Sequence, residues 1–362
     1  MKIVGLDFET YYDAQYSLRK MTPVEYVLDP RFEIIGCAVK DPGQKSYWVE
    51  GPDFGKYLAQ ADKNAGYLSH NMLFDGCILG YRFDFRPRLL VCSMSIARAC
   101  LGHILRSVSL KSVAEHLKLG VKGGTVHNVI GMNLAAIKAL PHLYSEYQAY
   151  SCNDDDLAMA IFDELVLKQK LFPISELATL DMVLRCCLQP RMRLDMTVLA
   201  EHLNQVKADK AQLLAQAGLQ PDQNGKSPDL MSNDKFAVLL ENLGVDPPRK
   251  MSLTTGKETF AFAKSDPQFI ELADHENPAV QVLVGARLGH KSTLEETRTE
   301  RYIKISRLWW PEKGQTALMP MPLRFSAAHT HRLGGDWKLN VQNLGRKSPL
   351  RRALIAPPGE TV

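Results

Sequence analysis

Apolar positions change their spacing near residue 172. Before it, short runs with β-branched members are interleaved with stretches that repeat apolar side chains every three or four residues. Residues 2–6, 33–39, 46–49 and 67–69 read as strands. Residues 54–60, 72–81, 93–101, 110–117 and 134–140 read as helices. Two more helical stretches follow, 142–150 and 154–171, the second opening on three aspartates. Acidic residues suit the partial positive charge of a first helical turn. Strands first and helices afterwards predict an α/β domain over residues 1–172, with Pro173 as the joint.

The remainder, residues 173–362, is mainly helical in texture. A long amphipathic stretch, 197–217, sets Val198, Leu199, Leu203, Val206, Leu213 and Leu214 among Lys, Glu and Gln. Residues 220–229 are polar with Gly and Pro, hence a loop, and 234–243 and 278–288 are helical again. A Thr/Lys/Gly stretch at 250–257 separates them.

Composition narrows this picture in three ways. A chain of 362 residues, 45% hydrophobic, has material for about two domains. It has no run of 18 apolar residues to span a membrane, and Asp7 comes too early for a signal peptide. Seven cysteines (37, 77, 92, 100, 152, 186 and 187) form no CxxC pair, so they read as reduced thiols in a cytoplasm, without zinc. Charge is uneven. Residues 301–362 hold eleven basic and three acidic residues, a net +8 within a chain whose total is +4. A basic segment on a slightly acidic body suits contact with a phosphate backbone, and equally a solvated basic tail.

The candidate chemistry is carboxylate chemistry. Asp7 and Glu9, two apart at the end of a strand, leave the same face of a sheet. Two such groups repel unless a proton or cation lies between them, and an all-oxygen set suits Mg²⁺ or Mn²⁺. A second element, His70-Asn71-Met72-Leu73-Phe74-Asp75, puts Asp75 in the first turns of a helix. A third, Tyr150-Ser151-Cys152-Asn153-Asp154, puts Tyr150 and Asp154 on one face if its helix is continuous. Each element alone has a plainer reading: a chance Asp-x-Glu, a helix-start aspartate, a half-buried core tyrosine.

In order and spacing, the three together resemble the DEDD exonuclease superfamily in its tyrosine subgroup. Asp7-Phe8-Glu9 is similar to its first motif, Asn71 to Asp75 to its second, and Tyr150 to Asp154 to its third. The resemblance covers residues 1 to about 170 and implies an RNase H-like mixed sheet flanked by helices. It also implies two divalent ions, Mg²⁺ or Mn²⁺, held by Asp7, Glu9, Asp75 and Asp154, with Tyr150 orienting the attacking water and Asn71 and Phe74 meeting a single-stranded 3′ end. The same spacing selects Asp154 over Asp155 and Asp156, which are expected to be solvated or capping.

The C-terminal half resembles family A (polymerase I-like) DNA polymerases. His329-Thr330-His331-Arg332-Leu333, then Asn340-Val341-Gln342-Asn343-Leu344, is similar to a segment whose polar side chains contact primer–template. His331 stands where that family has glycine, and Gly334 where it has serine. Residues 351–359 are similar to the family's next stretch, just ahead of the first palm carboxylate. The helix at 197–217 and the 250–257 loop stand in thumb order, so 173–362 is expected to be a helical thumb and early palm. The resemblance assigns duplex contacts to Thr330, Arg332, Asn340, Gln342 and Asn343. Arginine supplies charge-assisted bonds to phosphate, and amides read minor-groove acceptors. The palm aspartates are not among these residues, so no polymerase activity is expected from this chain alone, whether it is a fragment or half of a split polymerase whose partner chain carries palm and fingers. Three functions remain open: a proofreading 3′→5′ exonuclease, a catalytically idle primer–template clamp, and a free-standing RNA-trimming nuclease.

Overall fold

In a computed structural model, residues 2–124, 128–222, 227–252, 255–291, 294–357 and 359–360 are described. Five short apolar runs pair into one mixed sheet: β1 (Ile3–Thr10), β2 (Ile34–Lys40), β3 (Tyr47–Glu50), β4 (Gly66–Ser69) and β5 (Leu89–Cys92). Their order is β3-β2-β1-β4-β5. β1 runs antiparallel to β2 and parallel to β4; β2 and β3 are antiparallel, β4 and β5 parallel. β5 escapes the sequence reading because Leu-Leu-Val-Cys is buried throughout and carries no alternation.

β1 extends beyond its expected end at Leu6. β4 pairs only with Ile3, Val4 and Gly5, but β2 continues, setting Ala38 opposite Asp7 and Gly36 opposite Glu9. Asp7 and Glu9 therefore sit inside a strand. The backbone N–H of Phe8, past the reach of β4, donates instead to Asp75 Oδ1 at 3.1 Å. Even-numbered residues of β1 face the opposite side of the sheet, where the Phe8 ring meets Phe54 edge-on at 4.6 Å.

The helices of this part are α1 (Pro23–Leu28), α2 (Gly51–Gln60), α3 (Met72–Arg82), α4 (Ser93–Leu101), α5 (Leu110–His116), α6 (Leu134–Lys138), α7 (Pro141–Phe162) and α8 (Glu176–Leu188). α1 is short and held by a capping box of Thr22 and Glu25. α7 merges the two expected stretches into one helix, which continues as a π-helical turn over Asp163–Lys168. The three aspartates are thus mid-helix, not at a helix start. α8 follows Pro173 and closes on the sheet: Asp181 Oδ1 accepts from the Leu90 N–H at 2.7 Å, and Tyr81 Oη donates to the Cys187 carbonyl at 2.7 Å.

Two compact units result, Met1–Asp195 with Lys304–Val362, and Met196–Ile303. Residues 173–195, on the far side of the expected joint, group with the sheet. The second unit contains α9 (Met196–Gln216), α10 (Pro228–Met231), α11 (Asn233–Glu241), α12 (Pro267–Glu271) and α13 (Pro278–Lys291). Arg249–Met251 and Glu258–Phe260 pair there as antiparallel strands, so the expected 250–257 loop is a hairpin whose residues 253–254 lie outside the described ones. Of the expected 220–229 loop, residues 223–226 also lie outside them. Phe236, Phe262, Phe269, Val280 and Val284 form the core of this unit. Arg287 is buried among them, over the Phe236 ring at 4.1 Å, donating to the Leu230 carbonyl at 2.7 Å and to Asn233 Oδ1 at 2.5 Å.

Candidate functional site

α7 lies across β1 in a register that explains how the acidic groups meet. Tyr147 Oη donates to Glu9 Oε2 at 2.8 Å, and Ser151 Oγ reaches Asp7 Oδ2 at 3.4 Å. Asp155 packs over Gly5, whose missing side chain leaves room for the carboxylate and for Met159. Steps of four along the helix match steps of two along the strand because both advance about 6–7 Å. Tyr150 and Asp154 flank this stripe, one turn apart on the continuous helix. Asp75, in the first turn of α3, arrives through its bond from Phe8.

The structure thus gathers Asp7, Glu9, Asp75, Tyr150 and Asp154 around β1. Glu9, Asp75 and Asp154 are buried, whereas Asp7 keeps some exposure. Their carboxyls are hard to ionise together. Burial, then Glu9, Asp75, Asp154 and Asp155 in turn, hold Asp7 well above the usual carboxylate range. Burial lifts Glu9 to about 7 against the opposing bond from Tyr147, and lifts Asp75 to about 6. Burial raises Asp154 as well, with Lys122 opposing, and drives the Tyr150 phenol up. Clustered carboxylates that resist ionisation have the electrostatics of a site wanting a cation.

The donor set suits a hard divalent ion, being all oxygen, and Asp154 Oδ1 is buried without a hydrogen-bond partner. As the side chains stand, though, no three His, Cys, Asp or Glu among the described residues converge tightly enough to hold one. The cation facing Asp154 is Lys122, whose ammonium pairs with Oδ2 and donates to Tyr150 Oη at 2.9 Å. The donor chemistry fits; the arrangement is that of a cluster held by an ammonium.

Asn71 caps α3 without a side-chain bond and is exposed; Phe74 is half-buried, its ring 6.0 Å from that of Tyr26. The expected solvation of Asp155 is overturned. It is fully buried, takes a bond from Ser46 Oγ at 3.1 Å, and is pushed up to about 8 by burial. Asp156 pairs with Lys40 and accepts from Ser46 Oγ at 2.9 Å. Sequence reading missed Tyr147, Ser151 and Lys122. The first two were legible as the four-residue spacing Tyr147–Ser151–Asp155, in step with Glu9, Asp7 and Gly5. Lys122 lies on a loop, where periodicity gives no signal.

In the C-terminal segment, His331 adopts φ +58, the conformation that glycine takes most readily, and Ser326 Oγ holds its Nδ1 at 2.7 Å. The turn is closed by the Ala327 N–H to the Arg332 carbonyl at 2.9 Å. Arg332 Nε donates to Thr330 Oγ1 at 3.3 Å, and Gln342 Nε2 to the Leu333 carbonyl at 3.2 Å. Gly335 lies against Asn340, where a Cβ would come within 2.8 Å of the Asn340 Cα. Thr330, Arg332, Gln342 and Asn343 are exposed on the joined segments, with Asn340 partly buried between them. Of the 351–359 resemblance, Pro358 lies outside the described residues. A cavity of about 250 Å³ lies where His329 and His331 face Arg98 and His103 of the α4 end.

No protein-family model matches the sequence, and no curated protein matches it. Among solved structures, the chain is similar to the POL domain of Pol1 from M. smegmatis, solved in complex with DNA primer-template and dNTP, at 16% identity and a TM-score of 0.59. The match covers 98% of this chain and 55% of that one, so this chain spans about half of that structure. The likeness is one of fold: the chain has a DNA-polymerase-like fold. No helix among the described residues is long and apolar enough to cross a membrane.

Proposed function

We propose that the chain is a 3′→5′ exonuclease acting on DNA, carried by a polymerase-like fold whose basic C-terminal segment holds duplex. The observation that carries the reading is the gathering of Asp7, Glu9, Asp75 and Asp154, with Tyr150, on one strand and two helices. Two divalent ions, Mg²⁺ or Mn²⁺, would supply Lewis-acid stabilisation of the attacking and leaving oxygens. The chain's own groups do the rest. Asp7, Glu9, Asp75 and Asp154 would be the ligands, and Tyr147 and Ser151 orient two of them. Tyr150, its phenol pushed up by burial, stays protonated and orients water through its hydroxyl; it is no base at neutral pH. Asn71 and Phe74, at the head of α3, meet the terminal nucleotide, the phenyl ring by stacking.

Threading a 3′ end into a buried cluster requires single strand, and melting a paired end costs a few kcal/mol. The chain should therefore shorten a primer with three mismatched 3′ nucleotides faster than a matched one. Equal rates on the two would remove the proofreading role. One observation favours the idle-clamp reading: the ammonium of Lys122 on Asp154.

A further inference from the structure

We infer that Lys122 is an exchangeable internal cation of the carboxylate cluster: its ammonium holds Asp154 and Tyr150 while no divalent ion is bound and must leave Asp154 for one to bind. The inference rests on the nuclease reading of this cluster and assigns its regulation. Two of the five residues in that reading are engaged by one side chain. Lys122 pairs with Asp154 Oδ2, donates to Tyr150 Oη at 2.9 Å, and lies 4.9 Å from the centre of the Tyr150 ring. The other oxygen of Asp154, Oδ1, is buried and has no hydrogen-bond partner.

The backbone carrying Lys122 is held against α7, so release falls to the side chain. It reads Gly120-Val121-Lys122-Gly123-Gly124. Gly120 takes φ +147, and Gly124 meets nothing within 4 Å of where a Cβ would stand. Gly123 lies against the Tyr150 ring so closely that a Cβ would come within 2.9 Å of Cδ2. Val121, one residue before the lysine, is tied to α7 through its carbonyl, which accepts from Asn153 Nδ2 at 3.2 Å. The loop thus touches α7 on both sides of Lys122, through Val121 and Gly123, and the lysine side chain is the part left to move. The lysine side chain keeps 27% of its surface exposed, so water reaches it where it stands. A lysine is a compact charge on a flexible stem, and it swings out of such a site at little steric cost.

Competition for one carboxylate has two consequences of opposite sign. Removing the ammonium leaves the cluster uncompensated, so the metal-free chain loses stability. The same removal frees Asp154, so divalent ions bind more tightly, by linkage. A lysine that only braces the loop would give the first effect without the second.

The test uses the full chain without nucleic acid and Mn²⁺ as probe, followed by calorimetry and by the electron spin resonance of free Mn²⁺. Lys122→Met should bind Mn²⁺ about tenfold more tightly than wild type. Its melting temperature should fall without metal and return to the wild-type value at saturating Mn²⁺, while Lys122→Arg keeps both properties of wild type. Equal or weaker Mn²⁺ affinity in folded Lys122→Met overturns the inference and leaves the nuclease reading standing. Absence of Mn²⁺ binding in both proteins overturns both. Should Lys122→Met fail to fold, the wild-type chain labelled with ¹³C at lysine Cε decides. The Lys122 signal is expected to move on Mg²⁺ addition, and a signal unchanged through saturation contradicts release.

Discussion

At the residue scale, the account rests on carboxylates whose burial beside one another raises their pKa values. Asp7→Ala and Asp154→Ala should each abolish the proposed nuclease activity while leaving duplex affinity and the fold intact, as read by primer shortening and circular dichroism. Tyr150→Phe should be milder, about 10- to 100-fold lower in turnover with metal binding retained, the scale expected when an orienting hydroxyl is removed. His70 gives a test independent of activity. Its Nδ1 faces Ser93 Oγ at 2.9 Å and its Nε2 the Val108 carbonyl at 3.1 Å, a pair of partners suited to the neutral ring. Burial, with Lys122 and Arg98 acting in the same direction, lowers its pKa from 6.5 to about 4. The unfolded chain therefore takes up a proton at a pH where the folded chain does not. The stability involved is whole above pH 6.5 and is lost as pH falls to about 4, on the order of 3 kcal/mol. Measured by urea unfolding, wild type should lose stability relative to His70→Gln as pH falls through that window, whatever the buried carboxylates add to both; a constant difference contradicts it. The carboxylates and Tyr150 were expected together only through the resemblance carried by three short motifs in order, since each motif alone has a plainer reading. Lys122 was not, because it reaches Asp154 by the path of a loop.

At the scale of elements, the step-matched pairing of α7 and β1 decides the site. Its halves were visible in the chain, but the match was hidden by reading a helix boundary into the polar run Ser151–Asp156. Ser151 and Asp155 of that run meet the acidic strand, Asn153 bonds the Val121 carbonyl and Asp156 pairs with Lys40, so the run is polar without the helix stopping. Likewise β1 was cut short at Leu6, since acidic residues inside a strand look like its end until β2 is seen pairing past them. Gly5 tests the pairing. A methyl group there runs into Asp155 and Met159, so Gly5→Ala should destabilise the chain by about 1–3 kcal/mol, the usual cost of overpacking. It should also weaken metal binding by lifting α7 from the strand. A variant as stable as wild type would show that α7 is not seated there. In the second unit, Arg287 takes the place of a core residue, its guanidinium lowered to about 10 by burial. Arg287→Ala removes bonds to the Leu230 and Ser232 carbonyls and to Asn233, and should cost roughly 2–4 kcal/mol. Faster amide exchange confined to residues 196–303 is the expected signature.

At the scale of the whole molecule, the fold is similar to that of a DNA polymerase domain, and the proposed reading gives the duplex to the basic 301–362 end. The order of segments was legible from short motifs, whereas the grouping of 304–362 with the sheet was not, because contacts between distant stretches leave no periodic mark. Arg332 and Arg346 lie in the +8 segment. Exchanging both for alanine should weaken primer–template binding and lower the slope of log affinity against log salt by about 2, one for each phosphate no longer neutralised. Degradation of short single strands should be unaffected. An unchanged slope would reduce the segment to a solvated surface. The central claim, that the carboxylates of β1, α3 and α7 cut DNA from its 3′ end, is met most directly by one assay. The purified chain is incubated with Mg²⁺ and a 5′-labelled single-stranded oligonucleotide, beside Asp7→Ala, Asp154→Ala and a chelator control. The account predicts a ladder of products shortened one nucleotide at a time in wild type alone. No shortening by wild type, or the same ladder from either aspartate variant or in chelator, contradicts it.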